Sequence, residues 1–209
     1  MIIAVDGPAA SGKGTIARAL AAHYRLPHLD TGLLYRAVGI GVLRAGGDPG
    51  NEAAALAACD FPGSLLDDPA LRDEAATEAS SRVSVYPAVR AALLERQRRF
   101  AAQPGGAVLD GRDIGTVIAP NAEAKLFVTA RPEVRAQRRH LELATRQASP
   151  GYAAVLADIL ARDARDSGRD AAPLRQAEDA DLLDTSDLDI GQAIQRAISL
   201  VEVRMRGAG

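Results

Sequence analysis

The stretch Gly7-Pro-Ala-Ala-Ser-Gly12-Lys13-Gly14-Thr15 follows directly on the apolar run Ile2-Ile3-Ala4-Val5. The apolar run reads as a strand and the glycine-rich stretch as a turn. Ile16 and Leu20, with Ala17, Ala19 and Ala21, then fall at helical spacing. Glycines at positions 7 and 12 let the backbone curl so that successive N–H groups point at one anion. The lysine adds a mobile charge, and the start of the helix adds its positive dipole end. A strand, a loop of this kind and a helix in that order point to the phosphates of a nucleoside triphosphate. Gly7, Pro8, Ala9, Ala10, Ser11, Gly12, Lys13, Gly14 and Thr15 are the candidate cradle.

The rest of the chain repeats the alternation. Apolar strands are expected at 2–6, 28–30, 107–110, 125–129 and 182–184, and helices at 13–24, 32–45, 88–100, 132–145, 153–167 and 190–204. Short apolar strands separated by amphipathic helices make a parallel sheet wrapped by helices, an α/β fold. Pro132 suits a first helical turn, and Thr31, Asp187 and Asp189 are candidate helix caps. Residues 46–87, rich in Gly, Pro, Asp and Ala, break the rhythm and offer only short helical pieces. Residues 147–151 form a Gln-Ala-Ser-Pro-Gly turn between two arginine-bearing helices.

With 209 residues, the chain is expected to form one ordinary domain with small appended subdomains. A formal net charge of -2 and a pI near 5.9 argue against a polymeric nucleic-acid partner, which favours a basic face. Cys59 is the single cysteine and cannot form an internal disulfide, so a reducing compartment is expected. His23, His28 and His140 are scattered, and no Cys/His group has metal-ligand spacing. No apolar run approaches the roughly 18 residues of a membrane span. The N-terminus enters the first strand with no basic leader, so a cytoplasmic protein and no membrane partner are expected.

Ligands of such sheets sit at the carboxyl ends of the strands. Those ends carry Asp6-Gly7, Asp30-Thr31-Gly32, Asp110-Gly111-Arg112-Asp113 and Asp184-Thr185. Ala107-Val-Leu-Asp110 is the kind of apolar strand whose terminal carboxylate holds a magnesium-bound water in phosphate-loop enzymes. Arg162, Asp166 and Arg169 share a helical face at i, i+4 and i+7, and Asp163 and Asp170 repeat the register one residue along. That pattern serves either a ligand site or a solvated helix with intrahelical ion pairs. Phosphoryl transfer needs several arginines from different segments, and this chain supplies them at 36, 90, 112, 135, 138, 139, 162, 165 and 169.

Read together, these motifs resemble the bacterial-type cytidylate kinases, nucleoside monophosphate kinases acting on CMP and dCMP. The matching segments are Ile3 through Thr15, with its Gly-Lys-Gly-Thr ending, Leu29-Asp-Thr-Gly-Leu-Leu-Tyr-Arg36, Ser81 through Arg90, Leu109-Asp-Gly-Arg-Asp-Ile-Gly-Thr116 and Arg162-Asp-Ala-Arg-Asp-Ser-Gly-Arg169. They run in the family's order along nearly the whole chain.

The resemblance implies a P-loop parallel sheet with a core at 1–45, 88–146 and 168–209. It also implies a monophosphate-binding subdomain near 46–87 and a lid near 147–167. ATP, carrying Mg2+ mostly through water, would lie on residues 7–15 with Arg135 and Arg139 from the lid side. Lys13, Arg112 and Arg169 would be catalytic. CMP or dCMP would meet Thr31, Arg36, Ser81, Arg90, Arg112, Asp113, Arg162, Asp166 and Arg169, with Asp113, Ser81 and Arg90 reading cytosine and Arg162 and Asp166 the ribose. A monomer is expected. Family members commonly carry a larger insertion with an antiparallel sheet in the monophosphate-binding region. Residues 61–76 here lack alternating strands. A kinase for UMP or AMP and a nucleotide-binding regulator are the alternatives. Asp113 in its Gly-Arg-Asp-Ile-Gly setting disfavours the first, and the acidic pI disfavours the second.

Overall fold

A computed structural model describes residues 1–145 and 150–207. The chain divides into two compact units, one of Met1–Leu29 with Ala101–Gly209 and the other of Asp30–Phe100.

The first unit is built on strands β1 (Ile2–Asp6), β2 (His28–Asp30), β3 (Ala107–Gly111), β4 (Ala124–Thr129) and β5 (Asp181–Asp184), in the order β2-β3-β1-β4-β5. β1 runs parallel to both β3 and β4, with Val5 opposite Asp110 and Leu126. It is the central strand and bonds on both edges. That accounts for its nearly unbroken apolar run. Side chains alternate across a strand, so Ile3 and Val5 face one way and Asp6 the other.

The apolar face is covered by α1 (Lys13–Tyr24) and by the last helix, α8 (Ile190–Gly207). Ile16, Ala17 and Leu20 of α1 and Ala197 and Val201 of α8 pack on Ile3, Val5, Val108, Leu126 and Val128. Full burial of a large aliphatic side chain of this kind contributes about 1.5–3 kcal/mol. α1 ends where Arg25 turns left-handed (φ 55°) and its N–H reaches back to the Ala21 and Ala22 carbonyls. Helices α6 (Pro132–Ala144) and α7 (Tyr152–Ser167) pair through Ala136, Leu143, Val155 and Ile159, with Ala10 of the glycine-rich loop against them.

The second unit is helical. It holds α2 (Thr31–Arg44), α3 (Glu52–Ala57), two 3-10 turns at Gly63–Asp67 and Pro69–Arg72, and α4 (Glu74–Val83). α5 (Pro87–Ala101) follows. Ala37 and Ile40 of α2 pack on Leu71 and Ala76, with Leu33, Phe61, Leu65 and Leu66 around them. A Cβ on Gly39 would lie 2.7 Å from the Ala79 Cβ, so glycine lets α2 and α4 approach closely. Residues 61–76 fold as the two 3-10 turns and the start of α4, with no strand among residues 31–100.

Thr31 is not a cap. The cap of α2 is Asp30, whose Oδ1 accepts the Gly32 N–H at 2.9 Å, and Thr31 is the first helical residue. An Asp side chain reaches the N–H two residues on and takes the position first. Asp189 does cap α8, accepting the Gln192 N–H at 2.8 Å while Gln192 Oε1 accepts the Asp189 N–H at 3.0 Å. That reciprocal arrangement is a capping box. Asp187 instead pairs with the Arg131 guanidinium at 2.6 and 3.0 Å.

Candidate active site

The glycine-rich loop leaves β1 at Asp6 and enters α1 at Lys13, as the strand-turn-helix reading requires. A Cβ on Gly7 would sit 2.0 Å from the Val128 carbonyl oxygen, so the loop starts against β4 only because residue 7 has no side chain. Gly12, at φ 89°, turns the chain into α1, and Ala10 also takes a left-handed conformation at φ 58°. Lys13 Nζ donates to the Pro8 carbonyl at 3.4 Å, across the loop. Ser11 is fully buried, and its Oγ has no hydrogen-bond partner. A buried, unsatisfied hydroxyl in a curled loop is a polar group in want of a partner.

The loop is buttressed from outside. Arg135, buried in α6, donates to the Ala9 carbonyl at 3.3 Å and the Ala130 carbonyl at 2.8 Å. Its other bonds form a fork to the Asp163 carboxylate of α7 at 3.0 and 2.6 Å. Thr185 Oγ1 lies 3.0 Å from the Ser11 carbonyl and accepts from Arg138 at 3.0 Å. Arg139 forms an ion pair with Glu142 of its own helix at 3.0 Å. In the expected lid at 147–167, residues 147–149 lie outside the described residues, and the rest is chiefly α7.

Beside the loop, two carboxylates end neighbouring strands. Asp6 is buried and accepts the Ile114 N–H through Oδ1 and the Gly115 N–H through Oδ2, both at 2.8 Å. Burial pushes its pKa up to about 7, against the pull of those two N–H groups, with Asp113 raising it further and Lys13 lowering it. Asp113, also buried, begins the π-helical turn Ile114–Ile118 and supplies its carbonyl to the Val117 N–H at 2.9 Å. Asp110, at the end of β3, takes the His28 Nε2 on Oδ1 at 2.7 Å. Its Oδ2 lies 3.6 Å from where a Cβ on Gly14 would sit, close to the start of α1.

A third cluster decides between the two readings of the Arg162–Arg169 face. Asp166 is only 1% exposed. Arg112 Nε donates to its Oδ2 at 2.6 Å, and Arg169 donates to its Oδ1. Burial raises the Asp166 pKa, but the charges of Arg112, Arg169 and Arg162 outweigh it and hold the carboxyl below its ordinary range. A solvated face does not bury its carboxylate between arginines from two segments. The structure therefore brings Arg112, Asp166 and Arg169 together, with Arg162 beside them.

In the other unit, Thr31 and Ser81 are buried. Arg36 donates to the Leu71 carbonyl at 3.2 Å, and Arg90 donates to the Ser84 carbonyl at 3.4 Å while its guanidinium lies over the Tyr35 ring at 5.7 Å. These residues sit on α2, α4 and α5.

A family model described as cytidylate kinase matches residues 3–203. The chain belongs to the cytidylate kinase family. It is 63% identical over 207 residues to a cytidylate kinase of Xanthobacter autotrophicus, covering 99% of this chain and 100% of that one. Identity to a cytidylate kinase of Methylobacterium sp. is 60% over 210 residues, covering both chains fully. Among solved structures, an uncharacterized protein from Eubacterium ventriosum shares the fold at a TM-score of 0.56 and 14% identity, covering 97% of this chain and 98% of that one. A sugar kinase from Janibacter sp. does so at 0.51 and 16%, covering 97% and 94%. At such identities the likeness shows the fold alone: a phosphate-loop α/β architecture.

Sequence reasoning passed over two contacts. His28 reads as an ordinary histidine, yet it binds Asp110, a partner 82 residues away. Asp6 reads as a strand-end residue, yet it holds two N–H groups more than a hundred residues distant. Only the parallel register that sets Asp6 opposite Gly111 brings that second loop within reach. No helix among the described residues is long and apolar enough to cross a membrane.

Proposed function

We propose that this chain transfers the γ-phosphoryl group of ATP to CMP or dCMP, giving ADP and CDP or dCDP, as a cytoplasmic monomer. The observation that carries the reading is the full-length match to the cytidylate kinase family, in a chain whose Gly7–Thr15 loop, Asp113 turn and Arg112–Asp166–Arg169 cluster are all formed.

In the reaction an oxygen of the acceptor phosphate attacks the γ-phosphorus in line, and the bond to the β,γ-bridging oxygen breaks, leaving ADP. The protein forms no covalent bond and supplies position and charge. Backbone N–H groups of the loop between Pro8 and Thr15 cradle the donor phosphates, and Lys13 follows the migrating phosphoryl group. Arg135 secures the cradle through the Ala9 carbonyl, and Arg139 lies on the same helix on the donor side. Mg2+ carried with ATP would offset phosphate charge. Thr15 and Asp110, the latter beside the start of α1, suit a cation that keeps several waters and needs only one or two protein ligands.

Arg112, Arg169 and Arg36 gather the acceptor phosphate, Arg162 and Asp166 the ribose, and Thr31 adds a hydroxyl near the nucleotide. Asp113, with Ser81 and Arg90, reads the base. An ionised carboxylate only accepts hydrogen bonds, and cytosine offers an amino donor where uracil offers an acceptor. We further propose that residues 46–87 form the monophosphate-binding subdomain and residues 147–167 the lid.

A coupled assay with ATP and a panel of monophosphates tests the reading. CMP and dCMP should exceed UMP and AMP clearly in kcat/KM, since a buried site built for one hydrogen bond rejects the base that leaves it unpaired. Equal turnover of UMP or AMP would replace this acceptor with another.

A further inference from the structure

Asp6 stands outside every role assigned above. It is 5% exposed and lies at the hinge between β1 and the phosphate loop. Burying a carboxylate costs several kcal/mol unless its oxygens are satisfied. Here the two oxygens divide two consecutive N–H groups between them, Ile114 on Oδ1 and Gly115 on Oδ2. An asparagine of the same shape could accept only one, and its amide would turn a donor toward the other. The site therefore calls for a carboxylate in particular.

The two N–H groups belong to the turn that follows Asp113, whose backbone sits at φ -145°, ψ 26°. The far side of that turn is closed as well. A Cβ on Gly115 would lie 3.1 Å from Lys125 Cδ and 3.4 Å from Asp6 Oδ2. Lys125 is itself buried and fixed, its Nζ held by the Asp179 carboxylate at 2.7 and 2.9 Å and by the Pro120 carbonyl. Asp6 of β1 and the Lys125 stem of β4 thus hold residues 114–115 from adjacent strands. Burial and the nearby Asp113 charge raise the Asp6 pKa, while the two backbone bonds pull it down.

We propose that Asp6 is a positioning residue for base selection: its carboxylate, by taking the Ile114 and Gly115 N–H groups, fixes the turn that presents Asp113 to the acceptor base. The inference rests on the reading of Asp113 as the base reader. Asp6 touches no substrate in this account, and acts on the base only through the turn.

The test compares wild type, Asp6→Asn and Asp113→Asn for the CMP:UMP ratio of kcat/KM, the KM for ATP, and amide hydrogen exchange at residues 114 and 115. Asp6→Asn should lower the ratio tenfold or more, change the KM for ATP less than threefold, and speed exchange at Ile114 and Gly115 while Val108 and Leu126 stay protected. An equal loss on CMP and UMP would make Asp6 a support of the phosphate loop and overturn the inference. A ratio unmoved in Asp6→Asn but lowered in Asp113→Asn would overturn it while leaving the base reader standing. A ratio unmoved in Asp113→Asn would remove the base reader, and this inference with it.

Should Asp6→Asn fail to fold, wild type alone decides. The charged groups bearing on Asp6 are Asp113 and Lys13, and its pKa is pushed up to about 7. Protonation turns one accepting oxygen into a donor, so the CMP:UMP ratio should fall as pH drops from 8.5 to 5.5. Its midpoint should match that of the Ile114 and Gly115 amide shifts. The acceptors' phosphate ionisation, with a pKa of about 6, is common to both substrates and cancels in the ratio. Amide shifts that titrate beneath a flat ratio would overturn the inference.

Discussion

Two aspartates of the same unit are almost wholly buried, and the chain satisfies them in opposite ways. Asp6, at the end of β1, has backbone N–H groups on both oxygens, and burial lifts its pKa to about 7. Asp166, on α7, has Arg112 on one oxygen and Arg169 on the other, and those cations hold its carboxyl below the ordinary range despite burial. Neutral N–H dipoles direct a carboxylate without matching its charge, whereas guanidinium groups match the charge and are themselves held by it. In the proposed reading Asp6 sets geometry, and Asp166 holds Arg112 and Arg169 on its two oxygens.

The largest effect should come from breaking the second arrangement. Asp166→Ala leaves the partly buried Arg112 and Arg169 without their shared carboxylate, and removing one partner of a buried pair costs up to about 3–5 kcal/mol. Urea unfolding at pH 7 should show that loss, together with a fall in kcat/KM for CMP. A solvated ion pair would have cost only about 0–1 kcal/mol. A stability change that small would return Asp166 to an exposed-helix role.

Acid separates the two residues by sign. Asp166, with a lowered pKa, contributes stability that is present above its unfolded value near 3.8 and lost as pH falls through its folded value. Asp6, raised from 3.8 to about 7, holds its proton longer when folded, so its ionisation destabilises the fold progressively between those pH values. The excursion is at most about 4 kcal/mol, from roughly 1.4 kcal/mol per pKa unit. The stability of wild type relative to Asp6→Asn should decline from pH 4 to pH 7 and level off above. A difference constant across that range would mean that Asp6 titrates as it does unfolded.

Lys13 touches the comparison from the side of catalysis, because its charge is the one that lowers the Asp6 pKa. Lys13→Ala should reduce kcat by roughly 100-fold or more, the usual scale for removing a charge that stabilises a transferring phosphoryl group. It should also move the Asp6 midpoint upward. Turnover within a few-fold of wild type would displace Lys13 from the donor phosphates.

The same contrast explains what could be read from sequence. The phosphate loop was legible because Ile2–Asp6, the glycines and Lys13 are neighbours along the chain. All five strands and the six expected helices form within three residues of their expected ends. The helix α4 was legible only in pieces, because its buried stripe is Ala76, Ala79, Ser80 and Val83, a periodicity with little apolar contrast. Thr31 reads as a cap from sequence, but Asp30 beside it is an equally good one and takes the position. Arg162, Asp166 and Arg169 are legible as a face from helical spacing, whereas Arg112, 54 residues from Asp166, joins them only through the family resemblance and not through any local pattern. Asp6 and His28 act across still longer separations and depend on strand register, which no local pattern encodes.

The smallest expected effect isolates what burial adds to Asp6. Asp189 performs the same chemistry in water: Oδ1 accepts the Gln192 N–H at 2.8 Å at the exposed start of α8. There the N–H would otherwise bond to solvent, so the carboxylate contributes only the difference between two good partners. Asp189→Ala should cost about 1 kcal/mol, the ordinary worth of a helix cap, and leave the CMP:UMP ratio and the KM for ATP unchanged. Thermal unfolding and the coupled assay measure both. A cost of several kcal/mol, or a shift in base preference, would mean that N–H acceptance matters equally wherever it occurs. Burial of the Ile114 and Gly115 groups would then cease to distinguish Asp6.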